Sequence, residues 1–446
     1  MTMLPGFDGE ALIPASTTPG AEAPAPAPRL LTANRTQVFL RPTDLESLLR
    51  ADHPARTFWA CVERLDLAAF YAPIAAVEGE PGRPAIDPKI LLTLWLYATS
   101  EGVGSARELA RLCEAHDAYR WIGGGLTLNY HTLSDFRVAH REALDRLLTE
   151  ILAVLLQGGL VTLTRVAQDG TRVRASAGAA SFRREKSLRR CLAEAEAQVQ
   201  RCAAQDDATA AAQSAHQAAA QARAARERQA RIAQALAQLP AVRAAKQTEA
   251  ERAEARVSTT DPEARVMKMA DGGYRPAYNI QLATETAHQV VVGVGVTNVG
   301  SDMGEAPPMV AAVQARCGEA PAGWLMDGGF AKHDAITQVT EQGVTVYAPV
   351  PQARAGGDPH APHAGDSPAV AAWRARMATA EAKGLYKERA ATAECVNALW
   401  KDQRGLHRVR VRGVHKVLCV ALWMAVTHNL LRWVALAPGA AAGVAG

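Results

Sequence analysis

At Leu160 the hydrophobic rhythm of the chain changes, and that change restricts what the chain can fold into. Upstream, apolar residues recur at helical spacing. Phe58, Val62, Leu65 and Phe70 make one stripe; Leu144, Leu147, Leu148, Ile151, Leu152 and Leu155 make another, which Gly158 and Gly159 end. Downstream, LVTLTRVAQDGTRVRA alternates apolar and polar residues on either side of Asp169 and Gly170, as a strand or tight hairpin does. A helical region must therefore precede a sheet. With 446 residues the chain exceeds what one core usually serves, so two or three domains are expected.

Composition and punctuation place the boundaries. Residues 1–35 form a Pro- and Ala-rich tail that cannot bury enough apolar area to repay ordering. Residues 36–159 read as a helical domain. Thr43 with Glu46, Ser105 with Glu108, and Thr132 with Asp135 have capping-box spacing, and Pro88 suits a first helical position. Short helices separated by GVGS suggest a helix-turn-helix that would set a recognition helix against DNA. Residues 181–257 shift to Ala, Gln, Arg and Glu with a thin seam of Leu188, Leu192, Val199, Ile232, Leu236 and Leu239, which predicts a helical hairpin insertion that Pro240 would break or kink.

The insertion divides a second domain, residues 160–180 and 258–435. There YNIQLATE and HQVVVGVGVTNV predict an antiparallel pair, WLMDGGF and VTVYAPV predict further strands, and helical stretches separate the last two. Three strands, helix, strand, helix, strand and helices define a mixed sheet with helices packed on it. Residues 351–368 read as a loop and 436–446 as a flexible tail. The fold class expected is thus multi-domain, α plus α/β.

Several function classes drop out. The seven cysteines form no CxxC pair, which points to free thiols in a reducing cytosol, and the histidines show no zinc spacing. No Walker-type GxxxxGK[ST] occurs, and the glycines of GVGVTNVG lack the helix start of a dinucleotide site. The first residues carry Asp8 and Glu10 and no signal-length apolar core; the apolar run at 417–426 is too short to span a bilayer and reads as a buried helix. The net charge of +4 is modest, so the distribution of charge matters more than its sum.

That distribution is most uneven at residues 385–417. Read as a helix, Tyr386, Arg389 or Ala390, Glu394 and Lys401 share a face, and Arg404, His407, Arg408, Arg410, Arg412, His415 and Lys416 follow with only Asp402 opposing them. Glu394 alone would read as a surface ion-pair partner. Two further carboxylates change the balance. Asp169 and Asp327 each stand where an apolar strand meets glycine, a place that admits close approach of a phosphate. The rival acids have simpler roles: Asp302, Glu305 and Asp334 lie near helix starts, Asp261 and Asp271 in turns. Three converging carboxylates repel unless a cation neutralises them, and hard oxygen ligands select Mg²⁺ or Mn²⁺. Two such ions, about 3.5–4 Å apart, serve phosphodiester displacement.

In sequence order, RPAIDPKILLTLWLYATSEGVGSARELARLC, HTLSDFRVAH, VAQDGTRVRA, YNIQ, LMDGGF and AECVNALWKDQRGLHRVRVRG resemble the DDE transposases of bacterial insertion sequences. That resemblance spans residues 36–431. It implies a ribonuclease H-like, retroviral-integrase catalytic fold behind an amino-terminal helical DNA-binding domain, with Asp169, Asp327 and Glu394 as the acidic triad holding two Mg²⁺ or Mn²⁺ ions. In the branch with a Tyr-Arg-Glu-Lys signature, Tyr386, Arg389 and Lys401 correspond to the positions flanking the glutamate. Lys401 keeps its seven-residue step, but Arg389 lies five residues before Glu394, where the signature puts Ala390. Cys395 and Asn397 stand near where the family has Pro and Phe.

The resemblance further implies cleavage at transposon ends and strand transfer into target DNA, with Arg172, Lys268, Tyr386, Arg389, Lys401, Arg404, Arg408, Arg410, Arg412 and Lys416 against DNA. The partners implied are double-stranded DNA and further copies of the chain, a homodimer or higher oligomer on DNA without a membrane, in the bacterial cytoplasm at the nucleoid. The alternatives are a catalytically inactive, transposase-derived DNA-binding protein and a ribonuclease H-like nuclease.

Overall fold

A computed structural model describes residues 44–76, 79, 83–208, 215–352 and 357–437. The tail at 1–35, the start of the helical region at 36–43, and all but two residues of the tail at 436–446 lie outside the described residues.

The helical region includes α1 (Pro54–Glu63), α2 (Pro88–Ser100), α3 (Ala106–Ala115), α4 (Tyr130–Ala139) and α5 (Arg141–Gln157), with shorter helices at Ala68–Tyr71 and Asp117–Gly123 among the described residues between them. Proline opens α1 and α2, where its missing N–H costs nothing, and Asp87 Oδ1 accepts from Lys89 N at 2.8 Å. Ser105 caps α3 through Glu108 N, as its spacing predicts. Two other caps differ from expectation. Helix α4 starts behind Asn129, whose Oδ1 accepts from His131 N, so Thr132 lies inside the helix. Near Glu46 the chain makes only a 3₁₀ turn, because Asp44 Oδ1 takes Ser47 N locally.

β1 (Arg165–Arg174) is one unbroken strand, not a hairpin. After it, α6 (Glu185–Ala208) and α7 (Ala215–Ala244) fold against each other through Leu188, Ala235 and Leu239. Pro240 does not break α7, which continues to Ala244; burial of the adjacent Leu239 in the seam offsets the lost backbone bond.

The sheet resumes with β2 (Arg265–Lys268), β3 (Tyr274–Glu285) and β4 (Val291–Thr297). α8 (Ala306–Cys317), β5 (Gly323–Leu325), α9 (His333–Glu341) and β6 (Thr345–Tyr347) complete it. β1 pairs antiparallel with β3, with Asp169 opposite Leu282, and parallel with β5, which pairs parallel with β6; β2 and β4 share the far edge of β3. The β1–β5 pairing ends at Ala167 and Leu325. From Gln168 to Val173 no strand pairs with that edge of β1, beside the end of β5; at Arg174 residues 407–409 close it.

Helices α10 (Pro368–Ala378), α11 (Ala380–Tyr386), α12 (Cys395–Asp402) and α13 (Val414–Leu436) follow. α13 contains the apolar run and packs on α2, α5 and β4, so the helical region and the sheet share one core. Its 23 residues are long and apolar enough to cross a membrane by length and composition, and 72% of its most apolar window is buried inside the fold. Two polar side chains fix its register. Asn429 bonds both N and O of Val291, at 2.9 and 2.8 Å, acting as a strand neighbour at the start of β4. His428 Nε2 donates to Gln289 O at 2.7 Å, and burial pushes its pKa down to about 3, so the imidazole is neutral.

Replacing Asn429 with Ala leaves a buried N–H and C=O unpaired and should cost about 1–3 kcal/mol, read as a lower denaturant midpoint at unchanged slope.

Candidate active site

The basic stretch at 385–417 is not one helix. α11 ends at Tyr386, a π-helical turn covers Ala390–Glu394, α12 ends at Asp402, and residues 403–413 form a non-helical arm before α13. The π turn accounts for the irregular spacing of Arg389. Residues five apart diverge on an α-helix, but one i→i+5 turn absorbs the extra residue and returns them to one face. Arg389 Nη1 thus reaches Glu394 Oε1 at 3.2 Å. Just before the turn, Glu388 takes both Arg165 Nε and Nη2, at 2.8 and 2.9 Å, tying this segment to the start of β1.

The Arg389 guanidinium is the meeting point of the site. It is 8% exposed. Its Nη2 donates to Asp169 Oδ1 at 2.9 Å and lies 3.8 Å from Asp327 Oδ2. All three carboxylates named from the sequence thus face one cation. Asp169 comes from the open edge of β1, Asp327 from the turn after β5, where its Oδ1 accepts Gly329 N at 2.8 Å, and Glu394 from the π turn. Burial raises the pKa of Asp169 above its usual value; Arg389 opposes that rise and Asp327 adds to it.

Asn397 is the residue that sequence reasoning missed. Its Nδ2 donates to Asp169 Oδ2 at 2.8 Å, so each oxygen of Asp169 has its own donor. The departure from Phe at this position therefore has a polar reason, and its spacing from Glu394 on the same helical segment was the available signal. Lys401, one turn on, has its pKa lowered by burial and raised by Asp169.

Asp302 also departs from its expected role. It caps nothing; its Oδ1 accepts from Asn279 Nδ2 and Gln281 Nε2, both at 2.7 Å, which explains the amides of YNIQ. A Cβ at Gly170 would overlap Asp302 Oδ1 and Gln281 Nε2, so this strand position needs glycine for space. Asp261, expected in a simple turn, is buried, and its Oδ1 accepts from Tyr278 Oη at 2.7 Å and Gly413 N at 3.2 Å, anchoring the end of the arm.

A cleft of about 600 Å³ opens at this edge, lined by Asp169, Asp327, Asp302, Arg172, Lys401 and His407 among others. Arg172 is held over it by Lys268 O and Gly300 O. The other basic candidates distribute differently. Tyr386 is half-buried, and Lys268 and Lys416 are exposed outside the cleft lining. Arg404 is buried, Arg408 and Arg410 face a second cleft, and Arg412 adjoins Arg228 and Arg231.

As they stand, no three His, Cys, Asp or Glu side chains among the described residues form a ready metal-binding group. The donor chemistry nevertheless fits a divalent cation: three carboxylates converge on one positive charge, which leaves them incompletely neutralised.

Residues 43–139 match a family described as Transposase domain (DUF772), and residues 363–434 match Transposase DDE domain. Both matches are to transposase domains, and together they support a DDE transposase of insertion sequences. The DDE match takes in Glu394, Asn397 and Lys401 but neither Asp169 nor Asp327. No curated protein and no solved structure matches the chain. These matches support a role in transposition and imply a DNA substrate.

Substituting Arg389 with Ala leaves three carboxylates facing one another and should destabilise the metal-free protein by about 1–3 kcal/mol in equilibrium denaturation, less than a fully buried pair because Glu394 is largely exposed.

Proposed function

We propose that the chain cleaves DNA at the ends of a mobile element and joins them to target DNA, using Asp169, Asp327 and Glu394 to hold two Mg²⁺ or Mn²⁺ ions. The observation that carries this reading is the convergence of those three side chains, more than 50 residues apart in sequence at the closest, on the one guanidinium of Arg389. The strand pattern supports a ribonuclease H-like core: antiparallel β3 and β1, then parallel β5 and β6, with Asp169 midway along β1, Asp327 just past the end of β5 and Glu394 brought to them from the π turn.

Bound divalent ions supply Lewis-acid activation of the attacking oxygen and stabilise the leaving oxygen of an in-line displacement. The protein's own groups set the stage. Asn397 and Arg389 fix the two oxygens of Asp169, the glycines after Asp327 keep that side open to a phosphate, and Arg172 and Lys401 present positive charge to the phosphodiester. Glu394, with a side chain 61% exposed, is the most adjustable of the three ligands.

Retention of all three carboxylates favours an active enzyme over an inactive DNA-binding derivative, because a binder gains nothing from burying Asp169. In Mg²⁺ with DNA carrying the element's terminal sequence, Asp327→Asn should leave end binding within about twofold of the parent and lower cleavage and strand transfer by at least about a thousandfold. Parental cleavage by this variant would refute the assignment; cleavage without strand transfer by the parent would favour a simple nuclease.

A further inference from the structure

The arm at 403–413 borders two clefts. Beyond the carboxylate cleft lies a larger one of about 750 Å³, between the arm and helices α3 and α4, and His407 lines both. The arm is fixed there by pairing with the end of β1: Arg174 N donates to His407 O at 3.1 Å and Val409 N to Arg174 O at 2.9 Å. The larger cleft thus begins where the strand carrying Asp169 ends.

Its lining is strongly one-signed. Five arginines border it, Arg107, Arg137, Arg404, Arg408 and Arg410, against Glu108 as the one acid among the described lining residues. Arg137 is 8% exposed and spends one hydrogen bond on Gly104 O, at 2.7 Å, while its guanidinium lies 4.7 Å from the centre of the Trp95 ring. No carboxylate stands within ion-pair distance of it among the described residues. Burial and the charge of Arg410 push its pKa down to about 10. Arg404 is 7% exposed, and its Nη1 is buried without a hydrogen-bond partner. Arg107 lies 4.9 Å from the Tyr130 ring at the rim. Buried guanidinium groups without counter-charge are costly unless an anion completes them, and guanidinium is suited to phosphate.

We propose that this cleft holds the phosphate backbone of the DNA strand running on from the carboxylate site, with Arg107, Arg137 and Arg410 as contacts. The inference rests on the transposase reading and adds a role for the amino-terminal helices: α3 and α4 grip the backbone opposite the arm. This differs from a recognition helix reading base edges, since these arginines meet phosphate and leave binding largely indifferent to sequence at this position.

The test uses full-length protein in EDTA, so that cleavage plays no part, with fluorescence anisotropy of a labelled duplex carrying the element's terminal sequence across a salt series. Arg107 and Arg410 are exposed, so the double variant R107Q/R410Q keeps the fold. It should lower the slope of log affinity against log salt by about two and bind more weakly at every salt concentration. The control R190Q/R201Q, exposed on α6, should keep the parental slope. If the parent binds and R107Q/R410Q retains its affinity and slope, the cleft assignment falls alone; if the parent does not bind the duplex at all, the cleft and the transposase reading fall together. R137M adds a readout that a purely structural arginine would not give: weaker DNA binding with an unfolding temperature at or above the parent's.

Discussion

Three carboxylates gathered at one strand edge repel one another, and in this fold the guanidinium of Arg389 offsets the repulsion. Much of the surrounding structure serves that contact. The bidentate pair of Arg165 and Glu388 fixes the chain one residue before Arg389 to the start of β1, and the π turn after it rotates Glu394 back onto the guanidinium. A regular α-helix over the same residues would point Glu394 away. Asn397 then completes Asp169 from the next turn. A cationic side chain buried among acids holds them in place without metal, and its single charge leaves the acidic set incompletely neutralised.

The second constraint is architectural. α13 is shared by the helical region and the sheet, so the segment just before it, the arm, is held from both sides: by the end of β1 at Arg174 and by Asp261 and Tyr278 at Gly413. Glu263 completes this by accepting Val414 N at 2.6 Å at the start of α13. A basic segment anchored at both ends beside the carboxylate edge can present charge at fixed positions, which costs less entropy on DNA binding than ordering a free tail.

Much of this was legible in the sequence, for reasons that can be named. The change of period at Leu160, the Ala-rich hairpin, the strand at WLM and the long apolar run each carry a local pattern that tertiary packing reinforces. Asp169 and Asp327 stood out because glycine follows each of them; at Asp327 it marks the end of β5, whereas Gly170 lies inside β1, which runs on to Arg174. The misses have a common cause. Asn129 displaced Thr132 as a cap, Asp302 held amides across the sheet, and Asn397 reached Asp169 from 228 residues away. Such contacts depend on which elements meet, and no local spacing records that. The break of the basic stretch into a π turn, a helix and an arm was hidden for the same reason, since its residues are acceptable in a helix and only Gly405 and Gly413, both at positive φ, mark the departure.

The role proposed for the carboxylates is a divalent-cation site, with Arg389 filling their charge when none is bound. Electron paramagnetic resonance of Mn²⁺ titrated into the full-length protein measures this without relying on DNA or turnover. Saturable binding to the parent, lost or weakened at least about tenfold in Asp169→Asn by removal of the carboxylate charge, is the predicted result. No saturable binding to the parent, or equal binding to the variant, would contradict it.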